Sequence, residues 1–258
     1  MKNNMKFIKI ESFQNDPLVK IISLNRPEVR NAFNPEMISE LTELFIKENT
    51  ENKSKLIILK AEGKVFCAGA DLNWMKEMVK YSLAENIEDS NRLWNMFEAM
   101  RSCQVPVVTI AHGAVFAGAL GLLSVSDYVF AEESTKFCFS EVKLGLVPAI
   151  ISGFISRKIQ DAFYRPLMLS AEIFKAQDAK NIGLVQKVYK NTDSSNIEVS
   201  EVVNHFSENG IEAMKETKKL LNSLLSGQDV AASKILCTRV ISERRVGAEA
   251  QNRMKNFL

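Results

Sequence analysis

The sequence predicts an α/β fold in which a mostly parallel sheet is followed by an all-helical region. Up to about residue 190, short apolar runs alternate with segments of helical period, a pattern typical of parallel strands joined by crossover helices. Beyond Pro148 strand signals become rare, apart from Leu184–Tyr189, and helical patterns dominate. The 258 residues suffice for one large domain, or for a domain with an appendage. We therefore expect a core over residues 1–190 and a helical region over residues 191–258.

The first elements are expected to be two strands and a helix. The runs Lys6–Glu11 and Val19–Leu24 predict strands, joined by a turn at Asn15–Asp16–Pro17. Asn34 is suited to cap a helix whose first residue is Pro35, since proline fits the first helical position. Apolar side chains then recur at helical spacing, which predicts one buried stripe.

The middle and the end of the chain are interpreted in the same way. A strand, a small-residue loop and a long helix are predicted at Leu56–Leu59, Ala61–Asp71 and Glu77–Met100. A strand, a small-residue turn, a helix and a strand follow at Val107–Ile110, Gly113–Gly118, Ala119–Val125 and Asp127–Ala131. Helical patterns then occur at Ile150–Ile159, Arg165–Leu169, Lys175–Asn181, Val199–Ser207, Ile211–Leu225 and Val230–Arg244, with an exposed loop expected at Asn191–Asn196.

The composition excludes several classes of protein. The chain is 46% hydrophobic and 25% charged, and its net charge of +2 comes from 33 Lys+Arg against 31 Asp+Glu, which does not favour a nucleic-acid partner. It has no apolar run of about 20 residues and no apolar segment near its start, so we expect neither a membrane span nor a secretory signal. Its 4 cysteines lack metal or redox spacing. Reduced cysteines predict a cytoplasmic protein.

Two loops rich in small residues are candidates for binding an oxygen. They cover Cys67–Asp71 and Gly113–Gly118, and each follows a short apolar strand. Loops at the same ends of neighbouring strands can place backbone N–H groups on either side of one oxygen, as in an oxyanion hole. The spacing alone favours two ordinary tight turns over an oxyanion hole, and both interpretations stay open at this point.

Glu141 is the candidate acid or base. It lies among apolar residues, and partial burial would raise its pKa into a range useful for proton transfer. The alternative is a solvent-facing carboxylate paired with Lys143. The two histidines, His112 and His205, do not have metal-ligand spacing, and no glycine pattern matches a dinucleotide-binding loop. We therefore expect no metal and no redox cofactor.

Four motifs that follow one another along the chain suggest a family. They are NRPEVRNAFN at residues 25–34, VFCAGADL at 65–72, the segment 112–118 with Ser126-Asp127, and SEVKLGLVP at 140–148. Together they resemble the crotonase family, also called the enoyl-CoA hydratase/isomerase superfamily, and in particular its methylglutaconyl-CoA hydratase-like branch. The similarity runs from about residue 5 to about residue 255.

The resemblance implies a fold and a ligand. The fold is a right-handed spiral of ββα units with a C-terminal helical region that mediates trimer contacts, so a homotrimer or a dimer of trimers is expected. The ligand is a CoA thioester, which is the substrate and not a cofactor. Its carbonyl oxygen would accept hydrogen bonds from the backbone N–H groups of Ala70 and Gly118. The positions implied for CoA are Arg30, Ala32, Ala68, Asp71 and Leu72.

The acyl pocket implied by the resemblance is apolar. Its wall is expected to include Trp74, Met75, Met78, Phe116, Gly121, Ile150 and Ile151. Side chains of this size predict a short or branched acyl group.

The sequence departs from the family at one catalytic position. A typical hydratase has two glutamates, of which Glu141 matches the second, whereas the first would fall at Gly121. Three interpretations follow: an enoyl-CoA hydratase with Glu141 as its main acid–base residue, an enoyl-CoA isomerase that uses Glu141 alone, or an acyl-CoA-binding homologue without catalysis.

Overall fold

The computed structural model describes residues 5–13, 16–190, 197–224 and 229–257. They form two sheets with helices packed around them. The strands are β1 (Ile8–Phe13), β2 (Asp16–Leu24), β3 (Leu56–Ala61), β4 (Val107–Ala111), β5 (Ala114–Phe116), β6 (Tyr128–Glu132), β7 (Lys136–Cys138), β8 (Phe174–Lys175) and β9 (Lys187–Tyr189). The helices are α1 (Pro35–Glu51), α2 (Leu72–Met78), α3 (Leu83–Ser102), α4 (Ala119–Val125), α5 (Ala149–Ile155), α6 (Asp161–Ser170), α7 (Ala176–Asn181), α8 (Ile197–Ser207), α9 (Ile211–Leu224), α10 (Val230–Val246) and α11 (Ala248–Phe257).

The larger sheet is mostly parallel, as predicted. Its strand order is β1-β2-β3-β4-β6-β9, and only the β1–β2 pair is antiparallel. The five residues of β4 are all buried, and so are five of the six residues of β3. Central parallel strands are covered on both faces by helices, which explains their continuous apolar sequences.

The smaller sheet extends across the molecule and gives the fold its repeating unit. Its strands run in the order β5-β7-β8. Single bridges between Phe33 and Ala70, and between Cys67 and Val115, continue it across the preceding segments. Along the chain, each strand β2, β3, β4 and β6 of the larger sheet is therefore followed by a short extended segment in this second layer and then by a helix. This is the long strand, short strand and helix order of a ββα spiral.

The first helix confirms the prediction made from its capping residues. The Asn34 side chain accepts a hydrogen bond from the backbone N–H of Met37 at 2.9 Å, and Pro35 begins the helix. The apolar stripe of α1 is buried as its spacing predicts, and it includes Leu41 and Phe45.

Three local predictions differ from the structure. Asp16 and Pro17 belong to β2 and not to a turn, while Asn15 lies outside the described residues. The expected turn at 113–118 contains the strand β5, because pairing with β7 orders a segment too short to be recognised by alternation. The expected helix at 77–100 is two helices with a break at 79–82. Its second half restarts because Ser82 and Glu85 form a reciprocal capping box.

The predicted helical C-terminal region is present as α8 to α11. The exposed loop expected at 191–196 lies outside the described ranges, and the domain division at residue 190 stays a prediction. The 17 residues of α10 include none that is buried. Within the described ranges, no helix is long and apolar enough to cross a membrane.

Candidate active site

The second sheet brings three sequence-predicted residues to one edge. Cys67 pairs with Val115 in a parallel bridge, and Phe116 pairs with Cys138 in the parallel β5–β7 pair. The Phe116 N–H donates to the Cys67 carbonyl at 3.1 Å, and the Cys67 N–H donates to the Ala114 carbonyl at 3.2 Å. Three chain segments thus run side by side in the same direction.

Ala70, Gly118 and Glu141 follow these paired residues by two or three positions, one on each segment. Because the segments are parallel, their carboxyl ends lie at the same edge. The structure therefore collects the two predicted oxyanion residues and the predicted acid–base residue at one end of the smaller sheet.

The backbone of Ala70 is oriented by Phe33. The Phe33 N–H donates to the Gly69 carbonyl at 2.7 Å, and the Asp71 N–H donates to the Phe33 carbonyl at 2.8 Å. Successive backbone groups of an extended segment alternate in direction, so the Ala70 N–H points away from Phe33, toward the edge where Gly118 lies. It has no acceptor among the described residues.

Gly118 is presented by a strained turn. The preceding residue, Ala117, has a left-handed φ of +49° and donates its N–H to the Cys138 carbonyl at 2.9 Å. This conformation costs an alanine about 1–2 kcal/mol. The Gly118 N–H also lacks an acceptor within the described part of the chain. The two loops approach closely, since a Cβ on Gly69 would lie 3.1 Å from the Phe116 carbonyl oxygen and φ there is +98°.

Glu141 provides an unpaired carboxylate oxygen. It begins a 3-10 turn, Glu141–Leu144, which Gly145 ends at a φ of +71°. The side chain is half-buried, and its Oε2 is buried without a hydrogen-bond partner among the described residues. Burial raises the pKa of Glu141 above its ordinary value, although its own backbone N–H opposes the shift. No ion pair joins it to Lys143 in the described structure, so the solvent-facing alternative is not what the fold adopts.

Position 121 has no room for a side chain in this packing. Gly121 is buried in α4, and a Cβ built there would lie 2.4 Å from the Cζ atom of Phe97. That ring is fully buried and packs edge-on against Phe154, with ring centroids 5.6 Å apart. A side chain at position 121, where the resemblance places the first glutamate, would therefore overlap the Phe97 ring.

The predicted CoA positions line one cavity. It has a volume of about 610 Å³, and its lining includes all five predicted residues, Arg30, Ala32, Ala68, Asp71 and Leu72, together with Ala70 and Phe116. Lys76 also lines it. Arg30 and Lys76 form no ion pair with the described residues, so two cationic side chains are free to meet an anionic ligand.

Most of the predicted acyl wall lies outside this lining. Trp74 is buried, Met75 and Ile150 are half-buried, and Gly121 is closed off by Phe97. Of the predicted wall, Phe116 alone belongs to the lining of the 610 Å³ cavity. The acyl pocket therefore stays a prediction.

Sequence reasoning did not single out three residues of this region, Lys76, Ala117 and Phe97. Lys76 lies one helical turn after Leu72, and a helix starting at Asp71 would have placed both on one face. Ala117 was visible only as one small residue among several. Phe97 lies within the helix predicted at 77–100, but no sequence pattern connects it with Gly121.

Comparison with known proteins agrees with this geometry. A sequence profile described as enoyl-CoA hydratase/isomerase matches residues 15–256. The chain belongs to the enoyl-CoA hydratase/isomerase family. Its membership was predicted from the four motifs, and is confirmed.

Solved and curated relatives carry hydratase names. An enoyl-CoA hydratase structure from Shewanella pealeana has 32% identity and a TM-score of 0.89, with 98% of this chain and 94% of that chain covered. An enoyl-CoA hydratase of Alternaria alternata is 31% identical over 75% of this chain and 63% of its own. The 2,3-dehydroadipyl-CoA hydratase of Escherichia coli is 29% identical over 66% of both chains. The match thus spans just under two thirds of the two curated relatives.

Proposed function

We propose that the protein hydrates a 2-enoyl-CoA thioester through an enolate held by Ala70 and Gly118, with Glu141 as acid and base. The observation that supports this most is that two backbone N–H groups and a buried carboxylate oxygen, all without partners among the described residues, follow three parallel segments at the same edge of the smaller sheet. The hydratase names of the relatives support the same reaction class.

The proposed steps conserve atoms and charge. Glu141, as a carboxylate, accepts a proton from a water molecule while the water oxygen bonds to C3 of the substrate. The electrons of the C2–C3 double bond move onto the thioester oxygen, where the two N–H groups stabilise the negative charge. Glu141 then returns the proton to C2, the carbonyl reforms, and the product is a 3-hydroxyacyl-CoA.

A second candidate is favoured by the packing at Gly121. Since Phe97 excludes a second carboxylate, the site fits a reaction that requires only one. A 3-enoyl-CoA isomerase meets that requirement, because one base can remove a proton from C2 and return it to C4. Both reactions pass through a thioester enolate, which carries the added hydroxyl group in the hydration and is a conjugated dienolate in the isomerisation, and in both the same residue moves the proton.

For the nucleotide part of CoA, we propose the cavity lined by Arg30 and Lys76. Two unpaired cations can neutralise phosphate groups, whereas the small side chains of Ala32 and Ala68 leave space for a flat or extended group. The short or branched acyl group predicted from the sequence belongs to this proposal as well.

We also propose a homotrimer or a dimer of trimers. The helix α10 exposes several large apolar side chains and buries none, which is unusual for a 17-residue helix in a protein that acts alone. These side chains are Val230, Ile235, Ile241 and Val246. Sedimentation analysis of Ile235→Glu against the parent protein tests this: a smaller species is expected, and an unchanged one would contradict it.

The decisive assay follows the conjugated enoyl absorbance of two substrates of equal chain length. If the parent protein removes this absorbance from trans-2-enoyl-CoA and Glu141→Gln does not, the hydratase is supported. Gain of the absorbance from trans-3-enoyl-CoA without hydration would transfer the proposal to the isomerase. Binding of both thioesters with no reaction would overturn both, in favour of an acyl-CoA-binding role.

A further inference from the structure

A buried ion pair lies directly behind the oxyanion loop. Arg26 donates from Nη2 to Oδ2 of Asp71 at 2.8 Å, and the two side chains are only 11% and 8% exposed. Asp71 immediately follows Ala70, whose N–H is one of the two proposed oxyanion donors. The pair joins positions 45 residues apart in sequence.

Both ends of this ion pair are bound further by the backbone. Asp71 accepts with Oδ1 from the N–H of Asn73 at 2.8 Å, which caps α2. Arg26 donates from Nη1 to the Ala32 carbonyl at 2.6 Å, and its guanidinium lies 4.8 Å from the Phe7 ring centroid. Burial alone would raise the pKa of Asp71, but the Asn73 N–H and the Arg26 guanidinium hold it below its ordinary value.

Asn31 connects the same turn to the loop that precedes the oxyanion segment. Its Oδ1 accepts from the Arg26 N–H at 2.7 Å, and its Nδ2 donates to the Glu62 and Val65 carbonyls, each at 2.8 Å. Asn31 is fully buried and has a left-handed φ of +52°. The loop is therefore fastened before Ala70 through Asn31 and after it through Asp71.

We propose that the Arg26–Asp71 ion pair is a positioning device that holds the Ala70 N–H toward the thioester oxygen. This rests on the proposed function, in which that N–H stabilises an enolate. Each carboxylate oxygen of Asp71 accepts one hydrogen bond, Oδ2 from Arg26 and Oδ1 from Asn73, so both oxygens fix the loop. When the pair is lost, the loop can shift while the cavity still binds the thioester. We therefore expect kcat to fall more than the affinity for the thioester.

The magnitude follows from the geometric sensitivity of catalysis. Misplacing a reacting group by about 1 Å can cost about 100-fold in rate. For Arg26→Gln we expect kcat to fall about 10- to 100-fold, whereas the Kd of a saturated acyl-CoA changes less than about 3-fold. Arg26→Lys keeps the positive charge but loses the paired donors of the guanidinium, so its kcat should fall less than that of Arg26→Gln and stay below that of the parent protein.

The test combines kinetics with a readout that needs no turnover. Infrared spectra of a bound, saturated acyl-CoA, labelled with a heavy carbon at its thioester carbonyl, report hydrogen bonding to that oxygen. We expect the carbonyl band of the parent protein to lie below its solution frequency, and Arg26→Gln to return it toward the solution value. Asp71→Asn, which keeps the capping acceptor of α2, provides a second variant if Arg26→Gln does not fold. The matched control for Arg26→Gln is Arg165→Gln, which breaks the exposed Arg165–Asp161 pair at 2.8 Å on α6. It should change neither kcat nor the carbonyl band.

The outcomes separate this inference from the proposed function. If the parent protein shifts the carbonyl band but converts no enoyl-CoA, the proposed reaction is wrong. Loss of that band shift in Arg26→Gln would still support the positioning role. A folded Arg26→Gln with unchanged kcat and carbonyl band would overturn the inference. So would full recovery in Arg26→Gln with Asp71→Asn, because charge balance and not position would then be responsible. We expect the double variant to be no worse than the worse single variant.

Discussion

The two halves of the candidate site are built in different ways. On the oxyanion side, the loop that carries Ala70 is fastened by Phe33, Asn31 and a buried ion pair. On the proton-transfer side, a single carboxylate, Glu141, lies on a short 3-10 turn whose next residues are exposed. At position 121, where the resemblance places the family's first glutamate, the chain has a glycine packed against the Phe97 ring. The difference teaches that, under the proposed function, stabilisation of the enolate depends on a firmly held backbone, whereas proton transfer depends on one carboxylate.

The largest effect should come from removing that one group. Glu141→Gln keeps the size of the side chain but cannot accept a proton, so kcat should fall about 100- to 10,000-fold. Steady-state kinetics with the accepted enoyl-CoA measure it. Glu132→Gln, a half-buried glutamate at the end of β6, serves as the control with unchanged kcat. A loss below about 10-fold would mean that another group moves the proton.

The contrast between two glycines of one segment can be measured as stability. Gly121→Ala should lower the free energy of unfolding by about 1–3 kcal/mol, because its Cβ overlaps the Phe97 ring. Gly118→Ala has 3.8 Å to its nearest neighbour, Phe33, and should cost less than about 1 kcal/mol. Urea denaturation of both variants decides. Equal losses would show that the Phe97 ring yields, and that room for a side chain exists at Gly121.

On the oxyanion side, the cavity can be tested through its cations. Lys76→Gln should raise KM about 3- to 10-fold with kcat unchanged, since a phosphate contact is equal in the ground and transition states. The increase should shrink at high ionic strength. Lys80→Gln, on the segment just after α2 and outside the cavity lining, is the control. A fall in kcat without a change in KM would instead assign Lys76 to the chemistry.

The smallest effect concerns the stability of the proton-transfer side. The pKa of Glu141 is raised, so the folded protein binds this proton more tightly than the unfolded chain does. The stability contributed by the protonated group is present below the unfolded pKa, and it is lost as pH rises through the folded pKa. Glu141→Gln should therefore have a higher Tm than the parent at neutral pH, and the difference should vanish near pH 4. A lower Tm of Glu141→Gln than of the parent at neutral pH would show that the folded protein stabilises the ionised carboxylate of Glu141.

Sequence reasoning succeeded where the signal is local. The capping of α1 by Asn34, and the helix at 119–125, depend on residues that are neighbours in the chain, and both were predicted. The two small-residue loops and Glu141 were singled out because small residues after strands, and a carboxylate among apolar residues, are local patterns as well. The choice of Ala70 and Gly118 within those loops came from the family resemblance, and the roles of all three residues stay predictions.

The remaining features depend on contacts between distant segments. Arg26 and Asp71 are 45 residues apart in sequence, and Phe97 on α3 contacts Gly121 on α4. No periodicity or spacing in the sequence predicts either contact. The strand β5 was missed because only its pairing with β7 orders it. Tertiary packing decides such features.

The most direct test of the account is the exchange of the C2 protons of a saturated acyl-CoA with deuterated water, followed by NMR. This exchange requires an enolate and a base, but neither water addition nor double-bond migration. We predict exchange with the parent protein and its loss in Glu141→Gln, with binding of the thioester retained. Exchange that persists at the parent rate in Glu141→Gln, or its absence in a parent protein that binds the thioester, would contradict the claim that one carboxylate and two backbone N–H groups form the catalytic centre.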